Sequence, residues 1–521
     1  MAIEITQKPL YNTLAAAQPI IFVVNENTNI IQNQSMVKYV AELFIGNEIS
    51  TAQSVGNFKV SPNATGVGIF DFSPILENYV TPDYNGVYNQ IGVQPFPNSA
   101  SRSSYRLFGY TENAKYHPVH LVDEYCLSSK STQFVGIIFR IEYLGAQGNP
   151  DIVQIDGTMS TVSDEYLIFN GVVDDTDTLT PYTNSPNFGY NLGSYAGRRS
   201  YIMLNDASGK ARGNFLTDAP TTQYARLDDY GTFPFFNNLD KSKYSFGVGP
   251  SSLSGGSFPV LKDIEIKLYD CDGGTAGTTF YVTNTEENGG WSGNGGDTLG
   301  ARFYAQNRII YFGGFPANLR GANHEHFVGN LDKIAYYTLQ ARDNNNDDIG
   351  ALQTVYIIDP ESSNIRYGLG YTPIRLTWLN KHGTWDYYTF KQKSVRAIST
   401  NRTNYTQITG TWNSDAYHLR GSQGGQKNFR VNSQEKITIN TGLITDDEAV
   451  WLEQLINSTD VYIINDYNSE GAFPTSGNIN RYIEPVTVTT SNYIRKTKVN
   501  DSVIQYTFEL ERATIRRTQS V

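Results

Sequence analysis

Lys333-Ile-Ala-Tyr-Tyr-Thr-Leu-Gln-Ala-Arg342 and Ala351-Leu-Gln-Thr-Val-Tyr-Ile-Ile358, joined across Asp343-Asn-Asn-Asn-Asp-Asp348, decide the fold class. Both arms are β-branched and aromatic, and the connection holds only residues that tolerate tight turns, so the stretch predicts a β-hairpin. The rest of the chain agrees. Tyr (36), Phe (26) and Gly (46) are abundant and charged residues are only 17%. That usage suits pleated surfaces and turns rather than the charged outer faces of helices.

Working toward the N-terminus, Pro19–Val24, Tyr39–Ile45, Phe58–Val60, Val67–Phe72, Phe134–Tyr143 and Glu165–Phe169 read as strands at turn-punctuated spacing. Ser73-Pro74 reads as a helix cap with proline at the first helical position. The middle supplies Tyr201–Leu204, Val260–Tyr269, Thr279–Val282 and Arg308–Phe312 as short strands. Toward the C-terminus, Thr445-Asp-Asp-Glu448 is a capping box that opens a helix over about 446–457. In it the Thr hydroxyl accepts from the third helical amide, and Glu448 reaches back to the cap amide. Ala449, Leu452, Leu455 and Ile456 form its apolar stripe beside Trp451. Val461–Ile464, Ile483–Val488, Tyr493–Val499 and Val503–Leu510 then read as strands, with Ile504, Tyr506, Phe508 and Leu510 sharing one face. The expectation is a mainly β, multidomain chain of β-sandwich modules with one packed helix in the last part. It divides at 1–175, 176–372 and 373–521.

At 521 residues and a net charge of −11, the chain lacks the basic excess of a broad nucleic-acid or anionic-membrane surface. No apolar run reaches the roughly 20 residues that span a bilayer, and Met1-Ala-Ile-Glu carries an acid where a signal peptide has basic residues. The expected partners therefore exclude nucleic acid and membrane insertion. Two cysteines, Cys126 and Cys271, exclude a disulfide framework; as two unpaired thiols they suit assembly in a reducing cytoplasm, the alternative being one long-range bridge.

Catalytic patterns fail at named positions. Gly290-Trp-Ser-Gly-Asn294 breaks the nucleophile-elbow pattern at its last residue, and Gly209-Lys210 lacks the rest of a phosphate loop. No catalytic residue and no cofactor is expected. His117-Pro-Val-His120 and His324-Glu-His326 are the possible metal ligands, since His324 and His326 on a strand would share a face. Neither pair has a visible third ligand, and the plain alternative is surface or hydrogen-bonded histidines. Asp343–Asp348 alternates oxygen ligands as calcium loops do, but it lacks the sixth-position glycine and the distal glutamate, as Thr354 stands there. Trp291, Trp378, Trp385 and Trp412 could be sugar platforms, but tryptophans in strand-rich chains more often anchor cores or interfaces. Trp291, Trp378, Trp385, Thr445, Glu448 and Trp451 are accordingly the structural or interface candidates.

Several segments carry a resemblance: Arg375-Leu-Thr-Trp-Leu-Asn-Lys-His-Gly-Thr-Trp-Asp-Tyr-Tyr-Thr-Phe390, the Thr445 box with Trp451–Ser458, and Tyr506–Ala513. Phe70-Asp-Phe-Ser-Pro74 and Phe169-Asn-Gly-Val172 belong with them. Together they are similar to large virion proteins of tailed bacteriophages infecting Bacteroidetes-type hosts. The resemblance implies a tail, baseplate or neck/adaptor component, located in the virion and assembled in the host cytoplasm. Such a protein would form a symmetric homo-oligomer, dock other virion proteins and have no catalytic residues. The alternative is an adhesin or tail fibre that binds host surface glycan.

Overall fold

The computed structural model describes residues 3–9, 13–47, 52–82, 125–127, 131–146, 149–155, 160–172, 204–205, 211–212, 215–236, 261–284, 309–321, 324–342, 346–358, 371, 373–410, 416–418, 421, 423–464, 483–492, 494 and 504–517. The chain is mainly β, with several sheets and few helices, as its composition demands.

In the first part, a three-stranded sheet of Ile3–Gln7, Ile21–Glu26 and Gly68–Asp71 faces a larger sheet centred on Ser35–Gly46 and Thr132–Ala146. The inward residues of the two sheets meet as aromatics. Phe22 lies 5.7 Å and Phe70 5.5 Å from Phe139, ring to ring. This is the sandwich geometry that alternating strands require. The expected helix at Ser73-Pro74 forms over Ser73–Leu76, but its cap residue is Phe72. Asp71 supplies the missing acceptor instead, its Oδ1 taking the Ser73 amide at 3.0 Å and the Ser73 hydroxyl at 2.6 Å.

The hairpin quoted at the outset forms as Tyr336–Arg342 paired antiparallel with Asp348–Ile357. Asn346 and Gly350 take positive φ (68° and 71°) at its turn end, the conformation for which Asn and Gly are suited. The pair is the middle of a five-stranded sheet completed by Asp263–Tyr269, Phe280–Thr283 and the parallel strand Thr222–Ala225. A separate sheet joins Phe233–Phe236, Ile309–Phe312 and Tyr125–Leu127. One buried cluster runs from Ile3 through Ile357 and also takes in Trp385, Tyr387 and Ile464, so the core continues across residue 175.

The last part has its own buried cluster. Seven strands form one sheet in the order Trp385–Phe390, Ile374–Leu379, Val461–Ile464, Ile483–Val488, Thr507–Arg512, Gly425–Asn440, Val395–Gln407. The helix spans Asp446–Asn457, and both halves of the capping box are made. The Thr445 amide donates to Glu448 at 2.7 Å, and the Glu448 amide donates to the Thr445 hydroxyl at 3.3 Å. Its Trp451 packs on Trp378 of the sheet, ring centroids 5.1 Å apart. Ile504, Tyr506, Phe508 and Leu510 are all buried, on the face that alternation assigned to them. The strand expected over 493–499 lies outside the described residues. No helix among the described residues is long and apolar enough to cross a membrane.

Candidate functional site

Among the described residues, a dense set of buried polar groups is built on the turn between Ile374–Leu379 and Trp385–Phe390. Asn380 organises that turn, its Oδ1 accepting the amides of His382 (2.9 Å) and Thr384 (3.0 Å). Gly383 sits at φ 72°, and a Cβ there would lie 1.4 Å from the carbonyl oxygen of Asn170. Only glycine fits, for both reasons. The close approach brings the turn against the first part of the chain, where the Val172 amide donates to the Lys381 carbonyl at 2.7 Å. It reaches the central part as well, through the Thr384 hydroxyl donating to the Leu216 carbonyl at 2.8 Å.

Asp386 lies just beyond, 2% exposed. Its Oδ1 accepts from the Thr217 hydroxyl (2.5 Å) and Asn380 Nδ2 (2.9 Å), and its Oδ2 from Trp451 Nε1 (2.6 Å). Burial pushes its pKa up to about 6, against the pull of these donors and of His382. Beside it, Asp218 accepts from Gln454 Nε2 (2.7 Å) and lies 3.1 Å from Lys381 Nζ and 3.4 Å from His382 Nε2. A segment of the central part, the sheet turn and the helix are thus tied through two carboxylates. With its donors supplied by the fold, Asp386 is placed to hold elements together rather than to take a proton from a substrate.

A second buried link lies on the neighbouring strand, Ile374–Leu379. Arg375, 1% exposed, donates from Nε to the Tyr230 carbonyl (3.1 Å) and from Nη1 to the Thr389 hydroxyl (2.8 Å). Its guanidinium covers the Phe315 ring at 4.5 Å and stands 3.9 Å from Asp229. Asp229 is gripped in turn by Arg226 at 2.9 Å.

Across the outer face of the five-stranded sheet runs a ladder of half-buried tyrosines. Tyr269 stacks on Tyr336 (4.8 Å), Tyr336 packs on Tyr356 (5.0 Å) and Tyr356 on Tyr224 (5.6 Å). Lys391 closes the row, with Nζ 3.4 Å over the Tyr224 ring. The rings of Tyr336, Tyr356 and Tyr224 pack on their neighbours along the sheet, so these contacts occupy ring faces that a sugar would otherwise stack on.

The remaining feature projects. Val395–Gln407 and Gly425–Asn440 pair along their length, but only Lys436–Asn440 of the second strand pair onward with Thr507–Arg512. Beyond a single bridge between Ser433 and Arg516, the two strands leave the sheet as a ribbon. At about 3.4 Å per residue, the 13 residues of Val395–Gln407 extend roughly 44 Å. No residue of that strand is buried, and the first buried residue of its partner is Ile437. Ile398 (71% exposed), Phe429 (53%) and Tyr405 (44%) stand on this arm in solvent.

Trp378, Trp385 and Trp451 are each at most 1% exposed, which makes them core anchors and denies them to sugars. Thr445 and Glu448 form the helix cap. Trp291, Trp412, His117 and His120 lie outside the described residues. His324 and His326 are on no strand: His324 is the residue before the one-turn helix Glu325–Val328, and His326 lies within it. Both rings pack near Phe280, at 5.4 and 6.0 Å, and burial lowers the pKa of His324 to about 4. Among the described residues, no group of three or more His, Cys, Asp or Glu side chains could hold a metal. Of the Asp343–Asp348 loop the described part is 346–348, where Asn346 Oδ1 accepts from Lys262 at 2.6 Å. Cys271 is free and exposed, on a groove of ≈ 620 Å³ shared with Asp270, Thr275, Asp332 and Lys333.

Asp386, Asp218 and the arm had no individual signal in the sequence. Asp386 and Asn380 lie inside the segment that carries the phage resemblance, but their partners at 217, 218, 451 and 454 come from far along the chain.

No family model matches the chain, and no curated protein matches it. Among solved structures it aligns with trypsin-activated α2-macroglobulin from Escherichia coli at 8% identity and a TM-score of 0.17, covering 85% of this chain and 23% of that one. A single-residue variant of Salmonella α2-macroglobulin aligns at 10% identity and a TM-score of 0.17, covering 97% of this chain and 30% of the other. The chain thus spans less than a third of either, and at such scores the likeness carries no argument about fold or function.

Proposed function

We propose that this chain is a non-enzymatic structural subunit that oligomerises and docks other proteins, as a component of a phage tail, baseplate or neck/adaptor. The observation that carries the assembly reading is the arm. A 13-residue strand with no buried residue and a partner whose first buried residue is Ile437 extend from the sheet, and an isolated two-stranded ribbon is marginally stable in water. Such an element gains its stability from a partner. The buried links through Asp386 and Arg375 support the same reading, because they fix the opposite edge of the arm's sheet to the rest of the chain, so the arm projects from an anchored sheet. The virion assignment is supported by the sequence resemblance over 375–390, 445–458 and 506–513.

Light scattering on the purified full chain, followed by electron microscopy, tests the assembly reading. A defined oligomer, closed as a ring, is the expected result. A monomer in both measurements would sink it. The virion assignment is tested by adding the purified protein to phage particles lacking this subunit, where restored assembly is expected and no incorporation counts against it.

A further inference from the structure

We propose that the two-stranded arm docks on the acidic body of a second copy of this chain. This inference rests on the assembly reading above and names the contact that makes it.

Three features of the arm converge on such an occupant. The first is its edge position: Val395–Gln407 ends the seven-stranded sheet, and among the described residues no strand pairs with its outer side. Edges of this kind are completed by a neighbouring chain or covered. The second is apolar surface left half or more exposed to solvent, at Val395 (50% exposed), Ile398 (71%), Ile408 (65%) and Phe429 (53%). The third is charge. Residues 395–435 carry Arg396, Arg402, Arg420, Lys427 and Arg430 against only Asp415 and Glu435, in a chain whose net charge is −11. Glu435 is itself gathered in by Arg512 at 3.4 Å and Arg516 at 3.6 Å. The acidic surplus of the molecule therefore lies entirely outside the arm.

A cationic, partly apolar arm and an acidic body on the same chain are complementary between copies. Arm against arm would bring together two surfaces of net positive charge, which like-charge repulsion disfavours. The contact is then between two different surfaces, arm of one copy to body of the next. A head-to-tail contact of that kind closes into a ring or runs on as a filament. A nucleic acid would match the charge but would leave Ile398 and Ile408 in water.

The test replaces residues 401–432 with Asn-Gly, a two-residue turn suited to hairpins. Thr400 and Ser433, which it joins, already face each other in the ladder, and the described residues of the excised stretch contribute no side chain to the buried apolar core. A second variant, Arg402→Glu with Arg430→Glu, keeps the arm and reverses its charge. Light scattering, circular dichroism and binding of a fluorescent single-stranded DNA oligonucleotide are measured on the wild-type and both variant chains. The expected result is an oligomer that weakens with salt for the wild type and a folded monomer for the shortened chain. The charge-reversed chain should associate about tenfold more weakly or worse, at unchanged melting temperature. Normal assembly by the shortened chain overturns the arm proposal and leaves the assembly reading standing. A wild-type monomer at the highest soluble concentration overturns both. Arm-dependent oligonucleotide binding by a monomeric wild type assigns the arm to a polyanion and likewise overturns the contact between copies.

Discussion

Replacing Trp451 by Phe probes the Asp386 node most directly. The substitution removes one donor, the indole Nε1 at 2.6 Å from Asp386 Oδ2, and leaves an aromatic ring against Trp378. A hydrogen bond to a charged group contributes roughly 1.5–3 kcal/mol, a neutral one about 0.5–1.5 kcal/mol. Asp386, with a pKa of about 6, is ionised at pH 8 and protonated at pH 5. The loss of ring area costs the same at both pH values, so the pH-dependent part of the penalty isolates the lost donor. The variant should be destabilised by about 1 kcal/mol more at pH 8 than at pH 5. Urea titration followed by far-ultraviolet circular dichroism, with wild type and variant compared at each pH, reads this as a larger midpoint shift at pH 8. Equal shifts at both pH values would refute the assignment of Asp386 as a buried carboxylate held by the indole.

Asp386 and His324 should drive stability in opposite directions across the acid range. The Asp386 pKa is raised from 3.8 to about 6, so its protonated form favours the fold. That contribution, roughly 3 kcal/mol at about 1.4 kcal/mol per pH unit, is complete below pH 4 and is lost as pH rises through 6. The His324 pKa is lowered from 6.5 to about 4, so its neutral form favours the fold, and a similar ~3 kcal/mol is present above pH 6.5 and lost as pH falls through 4. His324→Gln should therefore steepen the fall in stability between pH 4 and 6, and a pH series of urea midpoints that does not change would contradict it. Gly383→Ala should cost at least about 3 kcal/mol, because the new Cβ would overlap the Asn170 carbonyl in a backbone region alanine avoids; a melting temperature within a degree of wild type would count against the described approach. Thr445→Ala should cost about 1 kcal/mol through loss of the helix cap, read as a modest drop in urea midpoint. Ile398→Asp should change stability by no more than about 0.5 kcal/mol while reducing self-association in light scattering.

How much of this was legible in the sequence depended on burial. The hairpin around Asn346, the helix opened by Thr445 and the strand ending at Leu510 each bury one face, and one-sided burial writes a period into the chain. The arm shows the opposite case. Val395-Arg-Ala-Ile-Ser-Thr-Asn-Arg-Thr-Asn-Tyr-Thr-Gln407 buries neither face, so no alternation marks it, and its strand character rests on pairing alone. Ser73 illustrates a local misreading: the cap position fell one residue earlier because Asp71 already satisfied the Ser73 amide and hydroxyl. The Asp386 node was hidden for a different reason. Its partners come from positions 217, 380 and 451, and a carboxylate beside a turn looks like any other until the fold brings them together.

The order of strands in the last sheet has a consequence for synthesis. Thr507–Arg512 lies between Ile483–Val488 and Gly425–Asn440, so the strand that fastens the arm to the sheet leaves the ribosome after both strands of the arm. Until it emerges, the hairpin of 395–440 has no backbone pairing to the sheet that will carry it. A nascent chain that stalls before residue 507 would display the apolar and basic arm without its anchor, where it could trap finished copies or be recognised as incomplete. Emergence of residues 507–512 thereby becomes a condition for presenting the arm correctly, a checkpoint set by strand order alone.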